Sequence, residues 1–167
     1  MLFALEHGLL KWEDPAVTDV FYKSFTDGLP QAWCAGHYDA DELVIDARHT
    51  LIEKGLAPEE VKRAAARIQL EGSPYGKDKG RDIFREMVSD ATPGADLLVF
   101  AGCAARSLYP ASLRALRNLL RSRGVAYQIL DPEPCCGMLL YQLGDFSSAS
   151  LQANKVSQKI AASGAKQ

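Results

Sequence analysis

Asp96-Leu97-Leu98-Val99-Phe100-Ala101-Gly102, answered downstream by Val125-Ala126-Tyr127-Gln128-Ile129-Leu130, is the reading on which the fold turns. Each stretch is a compact apolar run bounded by glycine or proline, the pattern of a buried strand. Between them Tyr109-Pro110 opens a helix over about 110–123, with Leu113, Leu116, Leu119 and Leu120 on one side and Gly124 as its stop. A crossover of that length favours parallel pairing of the two strands over a hairpin. Downstream, Asp145 can cap a last helix over roughly 146–161.

Upstream the pattern is helical. Asp14-Pro15 starts a helix over about 15–25, ended by Gly28 and Pro30. Asp39 and Glu42 read as a cap with its reciprocal acid before Leu43, Val44, Ala47, Leu51 and Ile52, and Gly55 closes that helix. Pro58-Glu59-Glu60 opens the next, with Val61, Ala64, Ala65, Ile68 and Leu70 on a loose apolar face. Gly72-Ser73-Pro74-Tyr75-Gly76 is a turn cluster, and a third helix covers 79–90 with Ile83, Phe84, Met87 and Val88 inward. The texture changes near residue 92, which divides a helical segment, 1–92, from an α/β domain, 93–167. The expected class is α/β: a helical N-terminal segment plus a small Rossmann-like parallel sheet with crossover helices. Two strands make a meagre sheet, so a further strand is expected from the N-terminal residues or from another chain.

Composition narrows the function. The 167 residues can bury a core, and the formal charge of −2 shows no overall basic character. No basic block stands beside exposed aromatics, so no nucleic-acid partner is expected. No apolar run reaches 18 residues and residues 1–10 lack a secretory pattern, so no membrane span is expected and the location read is cytoplasmic. Four cysteines in a chain of this length do not form a disulfide scaffold; reduced thiols are the default.

The chemistry lies in the cysteine loops. Cys103 follows the first strand, and Cys135-Cys136-Gly137 follows the second after Asp131-Pro132-Glu133-Pro134. Adjacent cysteines cannot share one face of a regular element. In a parallel sheet both loops emerge at the same strand ends, where sites in open α/β folds lie. Thiolates suit iron-sulfur clusters and zinc, and Gly102 and Gly137 permit close backbone approach. The opposing reading for Cys103 is a small buried hydrophobe. A four-iron four-sulfur cube wants four ligands, and this region supplies three.

Gly102-Cys103, Tyr109-Pro110, Cys135-Cys136-Gly137, Gly144-Asp145 and Asn154 together resemble one cysteine-rich repeat of the heterodisulfide reductase and glycolate oxidase iron-sulfur subunits. The resemblance implies cluster ligation, with Cys103, Cys135 and Cys136 matching the first three cysteines of the repeat. In that family a strand and a Cys-x-x-Cys follow; this sequence ends at Gln167 without them, so the repeat is truncated or its ligand set is eroded. Family members often carry a ferredoxin-like module and helical linker upstream, which 41–61 and 72–76 resemble. Counting back from Cys34 on ferredoxin spacing gives Pro30, Asp27 and Ser24, so only one thiolate position persists.

Three readings therefore stand. The first is an iron-sulfur electron-transfer subunit, or its degenerate relative, in a heterodisulfide reductase-like complex, itself a non-catalytic part of the oxidoreductase. The second is a cluster-free structural or assembly subunit acting through protein contacts. The third is a zinc-binding protein. Other oxidoreductase subunits or a second copy of the chain are the expected partners. Among the remaining residues, His37 reads as a surface or capping residue, Asp46 and His49 as a surface pair, and Lys77, Lys79, Arg81 and Arg85 as a solvated basic helix start. Arg114, Arg117, Arg121 and Arg123 read as the wet side of their helix, and Tyr141 as a cover for the cysteine loop beside the apolar run Met138-Leu139-Leu140.

Overall fold

The computed structural model describes residues 1–76 and 80–166. Most of these are helical. In chain order the elements are α1 (Leu2–Glu6), α2 (Pro15–Lys23), α3 (Leu29–Trp33), α4 (Ala40–Glu53), α5 (Glu59–Glu71), α6 (Arg81–Asp90), β1 (Leu98–Val99), α7 (Cys103–Ser107), α8 (Pro110–Ser122), β2 (Gln128–Ile129), α9 (Met138–Gln142) and α10 (Phe146–Ser163). None of the described helices is long and apolar enough to cross a membrane.

Local chemistry sets the longer helices. Asp14 accepts a hydrogen bond from the Ala16 amide at 2.9 Å, with Pro15 at the first helical position. Asp39 accepts from the Glu42 amide at 3.1 Å, and Asp145 from the Ser148 amide at 3.0 Å. Residue 79, the expected start of α6, lies outside the described residues, as does Lys77.

The chain divides into two compact units. The first comprises Met1–Ala65 and Gly137–Ala149; the second comprises Ala66–Cys136 and Ser150–Gln167. In the first, Leu5, Val17, Phe21, Ala47 and Leu51 form the core, with Trp12 and Tyr22 packed at its margin. Burying each of these larger aliphatics contributes about 2 kcal/mol. Leu2–Glu6 is helical and supplies no extra strand, a correction to the expectation above. Arg48 is buried at 6% exposure, and its guanidinium is spent on carbonyls. Its Nε donates to Phe21 O at 3.0 Å, Nη1 to Gln142 O at 2.5 Å and Nη2 to Ser24 O at 2.6 Å. Phe21 and Ser24 lie at the C-terminal end of α2 and Gln142 at that of α9, where unpaired carbonyls accumulate and a cation is favoured. Tyr22 Oη donates to Leu143 O at 3.1 Å, and burial raises its pKa to about 12.

In the second unit, Ile83, Met87, Val99, Leu113, Leu120 and Tyr127 form the core. Tyr127 Oη donates to Met87 O at 2.9 Å, and the Thr92 amide to Tyr127 O at 2.7 Å. Strands β1 and β2 pair in parallel, Leu98 opposite Gln128 and Val99 opposite Ile129. The direction of pairing is as expected, but the extent is not. Each strand holds two residues, so the Rossmann-like sheet of the sequence reading is not formed among the described residues. Three residues beyond β1, Gly102 at φ 76° leaves the extended region. Val125 and Ala126 are exposed, so the second apolar run pairs only at its end. An apolar run shows burial without specifying a ladder.

Two further details depart from expectation. Leu70 is exposed, although Val61 and Ile68 on the same helix are buried. Arg117 leaves the wet side of α8: its Nη1 meets Glu86 Oε2 at 2.6 Å and its Nε meets Asp90 Oδ2 at 2.8 Å, tying α8 to α6.

Candidate functional site

Gly102 N-caps α7 and places Cys103 at the first helical position, four residues after the end of β1. Cys135 and Cys136 follow β2 across the Asp131-Pro132-Glu133-Pro134 loop. The second unit thus brings the Cys103 and Cys135 thiols within reach of each other, with Cys136 near enough to act on Cys103 through its charge. Cys135 is buried, Cys103 half-buried and Cys136 exposed, and none of the four cysteines is in a disulfide. The bond to Cys135, and then burial, push the Cys103 thiol well above its ordinary pKa. Tyr75 lies in the field of Cys103, Tyr109 and Cys135, and burial chiefly raises its phenol.

Both loops are held by a side chain that sequence reading passed over. The Ala101 amide donates to Glu133 Oε2 at 2.6 Å and the Gly102 amide to Glu133 Oε1 at 2.7 Å. These are charge-assisted bonds to two successive backbone donors, and they tie the end of β1 to the loop that carries the cysteine pair. The prolines on either side of Glu133 were its only sequence signal. Glu133→Gln replaces one acceptor by an amide donor facing a backbone N–H. It should cost about 2 kcal/mol and speed alkylation of Cys103 in the folded protein. Unchanged melting and labelling would show that the clamp does not hold the loop.

The remaining expected site residues have structural employment. Tyr109 is exposed and precedes α8, and Pro110 occupies its first position. Gly137, at φ 85°, N-caps α9. In the first unit, Ser24 Oγ donates to Val20 O at 2.7 Å, Asp27 Oδ1 accepts from the Leu29 amide at 3.1 Å, and Pro30 sits in the first turn of α3. Cys34 is half-exposed, and bonds from the backbone amides of Tyr38, Gly36 and His37 lower its pKa. His37 is exposed at φ 53°, consistent with its surface reading. His49 bonds Gly144 O through Nδ1 at 2.9 Å and lies 3.5 Å from Glu53, so it does not take Asp46 as its partner. Tyr141 donates to Glu42 at 2.7 Å and stacks on Phe146, and Leu140 is fully buried. Met138 is exposed.

The donor set does not fit an iron-sulfur cube. The second unit supplies three thiols, Cys103, Cys135 and Cys136, and no fourth to complete the set a cube takes. No group of three or more His, Cys, Asp or Glu side chains among the described residues is arranged to hold a metal ion.

Residues 97–166 match the family model of the cysteine-rich domain, CCG. The matched segment, less than half of the chain, is thus similar to a cysteine-rich domain. Comparison with curated proteins finds no match, and comparison with solved structures finds none either.

Proposed function

We propose that this protein is a cluster-free relative of iron-sulfur electron-transfer subunits that serves as a structural or assembly subunit of a redox complex. The observation that carries the reading is the incomplete donor set: the second unit offers three thiols, Cys135 buried, Cys103 half-buried and Cys136 exposed, and no fourth, and no metal-holding group of side chains stands among the described residues. The Glu133 clamp supports it, because a carboxylate fastens the loops that ligands would otherwise fasten. So do Ser24 and Asp27, whose side chains bond neighbouring backbone groups. The contact surface assigned to a protein partner includes Phe25, Trp33 and Tyr38, which are 80%, 86% and 71% exposed within one short segment. In this reading 93–167 is the cysteine-rich domain, 1–92 the remnant of the ferredoxin-like module and linker, and the location cytoplasmic.

Anaerobic purification with iron, zinc and acid-labile sulfide counted per chain tests the first half. The expected result is a folded protein with all three far below one equivalent. Near-stoichiometric iron with matching sulfide, lost in Cys135→Ala or Cys136→Ala, would restore the electron-transfer reading; stoichiometric zinc would favour the third. The second half is read from size. A Phe25→Ser, Trp33→Ser double variant should run as free chain where the native protein runs in a complex. An unchanged complex of native size would remove that surface from the contact.

A further inference from the structure

We infer that the second unit carries a binding site for the oxyanion head of a small molecule, a phosphate monoester or a carboxylate, between the start of α6 and α7. A cavity of about 480 Å³ lies there, and Arg81, Arg85, Arg106, Ser73, Ser107 and Cys103 are on its wall. That volume exceeds what a bare anion needs and falls within the range of small-molecule sites.

The cations are placed rather than scattered. Arg81 and Arg85 are four residues apart on α6, hence on one face. Neither is ion-paired with a described residue, in contrast to Arg117, which both Glu86 and Asp90 hold. Arg106, from α7, carries its guanidinium 4.1 Å from the centroid of the Phe84 ring, which fixes it in position by cation–π attraction. Guanidinium forks match the oxygens of phosphate and carboxylate.

Ser107 supplies the independent sign of a ligand. It is 3% exposed, lies on the cavity wall, and its hydroxyl has no hydrogen-bond partner among the described residues. The fully buried, unpaired side-chain atom among the described residues is Asp41 Oδ1, so the Ser107 hydroxyl keeps contact with solvent at the cavity wall, where a ligand oxygen would take the place of water. Ser73 Oγ accepts from the Tyr75 amide at 3.2 Å, so its own proton remains to be donated.

Carboxylates on the same wall restrict the ligand. Both oxygens of Glu133 are engaged by backbone amides, while Glu71 and Asp131 are exposed. These two would repel a second negative group, so a single oxyanion head on an uncharged or cationic body is the class selected, not a polyphosphate.

Titration calorimetry of the full chain with inorganic phosphate, and separately with acetate, at ionic strength held constant with chloride tests this independently of metal content. Saturable binding in the millimolar range is expected, weakened about tenfold in Arg85→Ala and in Ser107→Ala. Arg85 is exposed and the Ser107 hydroxyl unpaired, so both variants should fold, with Ser107→Ala melting no lower than the parent. The tighter of the two anions identifies the head group. Absence of saturable binding by either anion up to about 50 mM would overturn the site. So would binding that neither substitution alters.

Discussion

Arg48→Ala is expected to destabilise the first unit by about 3–5 kcal/mol. Its guanidinium bonds the carbonyls of Phe21, Ser24 and Gln142, at the ends of two helices. Truncation leaves these acceptors without their donor and opens a void beside the Tyr22 ring, which Arg48 overlies at 5.6 Å. No carboxylate forms an ion pair with Arg48 among the described residues, and burial lowers its pKa, so the carbonyl bonds offset the cost of desolvation. Two variants separate the contributions. Arg48→Met keeps apolar volume but no donors and should be nearly as damaging as alanine. Arg48→Lys keeps the charge but not the fork, and should fall between. Chemical denaturation followed by Trp12 fluorescence is a suitable readout, since Trp12 packs against that core and stacks near Phe21. A loss under about 1 kcal/mol for Arg48→Met would show that volume, and not carbonyl bonding, is what Arg48 supplies.

Gly144→Ala should be comparably severe, at about 3 kcal/mol or more. Gly144 has φ +90°, where an L side chain is strained. A β-carbon there would also collide with the backbone of Arg48 and His49, including the His49 nitrogen, and would come within 2.9 Å of the Arg48 side chain. The obstacle is mostly helix backbone, which cannot swing aside as a flexible side chain can. Relief would pull residue 144 away from α4, breaking the His49 bond to Gly144 O and disturbing the neighbouring carbonyl that receives Tyr22. For a chain of this size the melting temperature should fall by roughly 6–12 °C. A fall of under about 2 °C would mean that the approach of residue 144 to α4 can widen without penalty.

Both predictions concern residues that sequence reading treated lightly. Gly144 entered only as part of the family resemblance, and Arg48 was not singled out. An arginine between alanine and histidine in a helix is assigned by default to solvent. Its burial depends on α2 and α9 presenting their carbonyl ends to it, across separations of 27 and 94 residues. Nothing local in the sequence encodes that arrangement.

The cysteine site shows the same division. The loops, their order after the two strands and the family of the 97–166 segment were legible, because glycine, proline and cysteine spacing are local signals. That Cys135 would be buried while the adjacent Cys136 stayed exposed was not, since the burial of neighbouring residues in a loop is set by distant packing. Glu133 likewise acts on amides 31 and 32 residues away.

The sequence by itself determined the helices that begin with their own caps. Asp14, Asp39 and Asp145 each bond an amide two or three residues on, and those bonds form wherever the rest of the chain lies. It also determined which residues are apolar enough to be buried and that the two strands run parallel. Only the tertiary structure decided where strand pairing stops, which charges are buried and which thiols meet. Those outcomes depend on hydrogen bonds between groups far apart in the chain, and burial makes such bonds matter by removing water as the alternative partner.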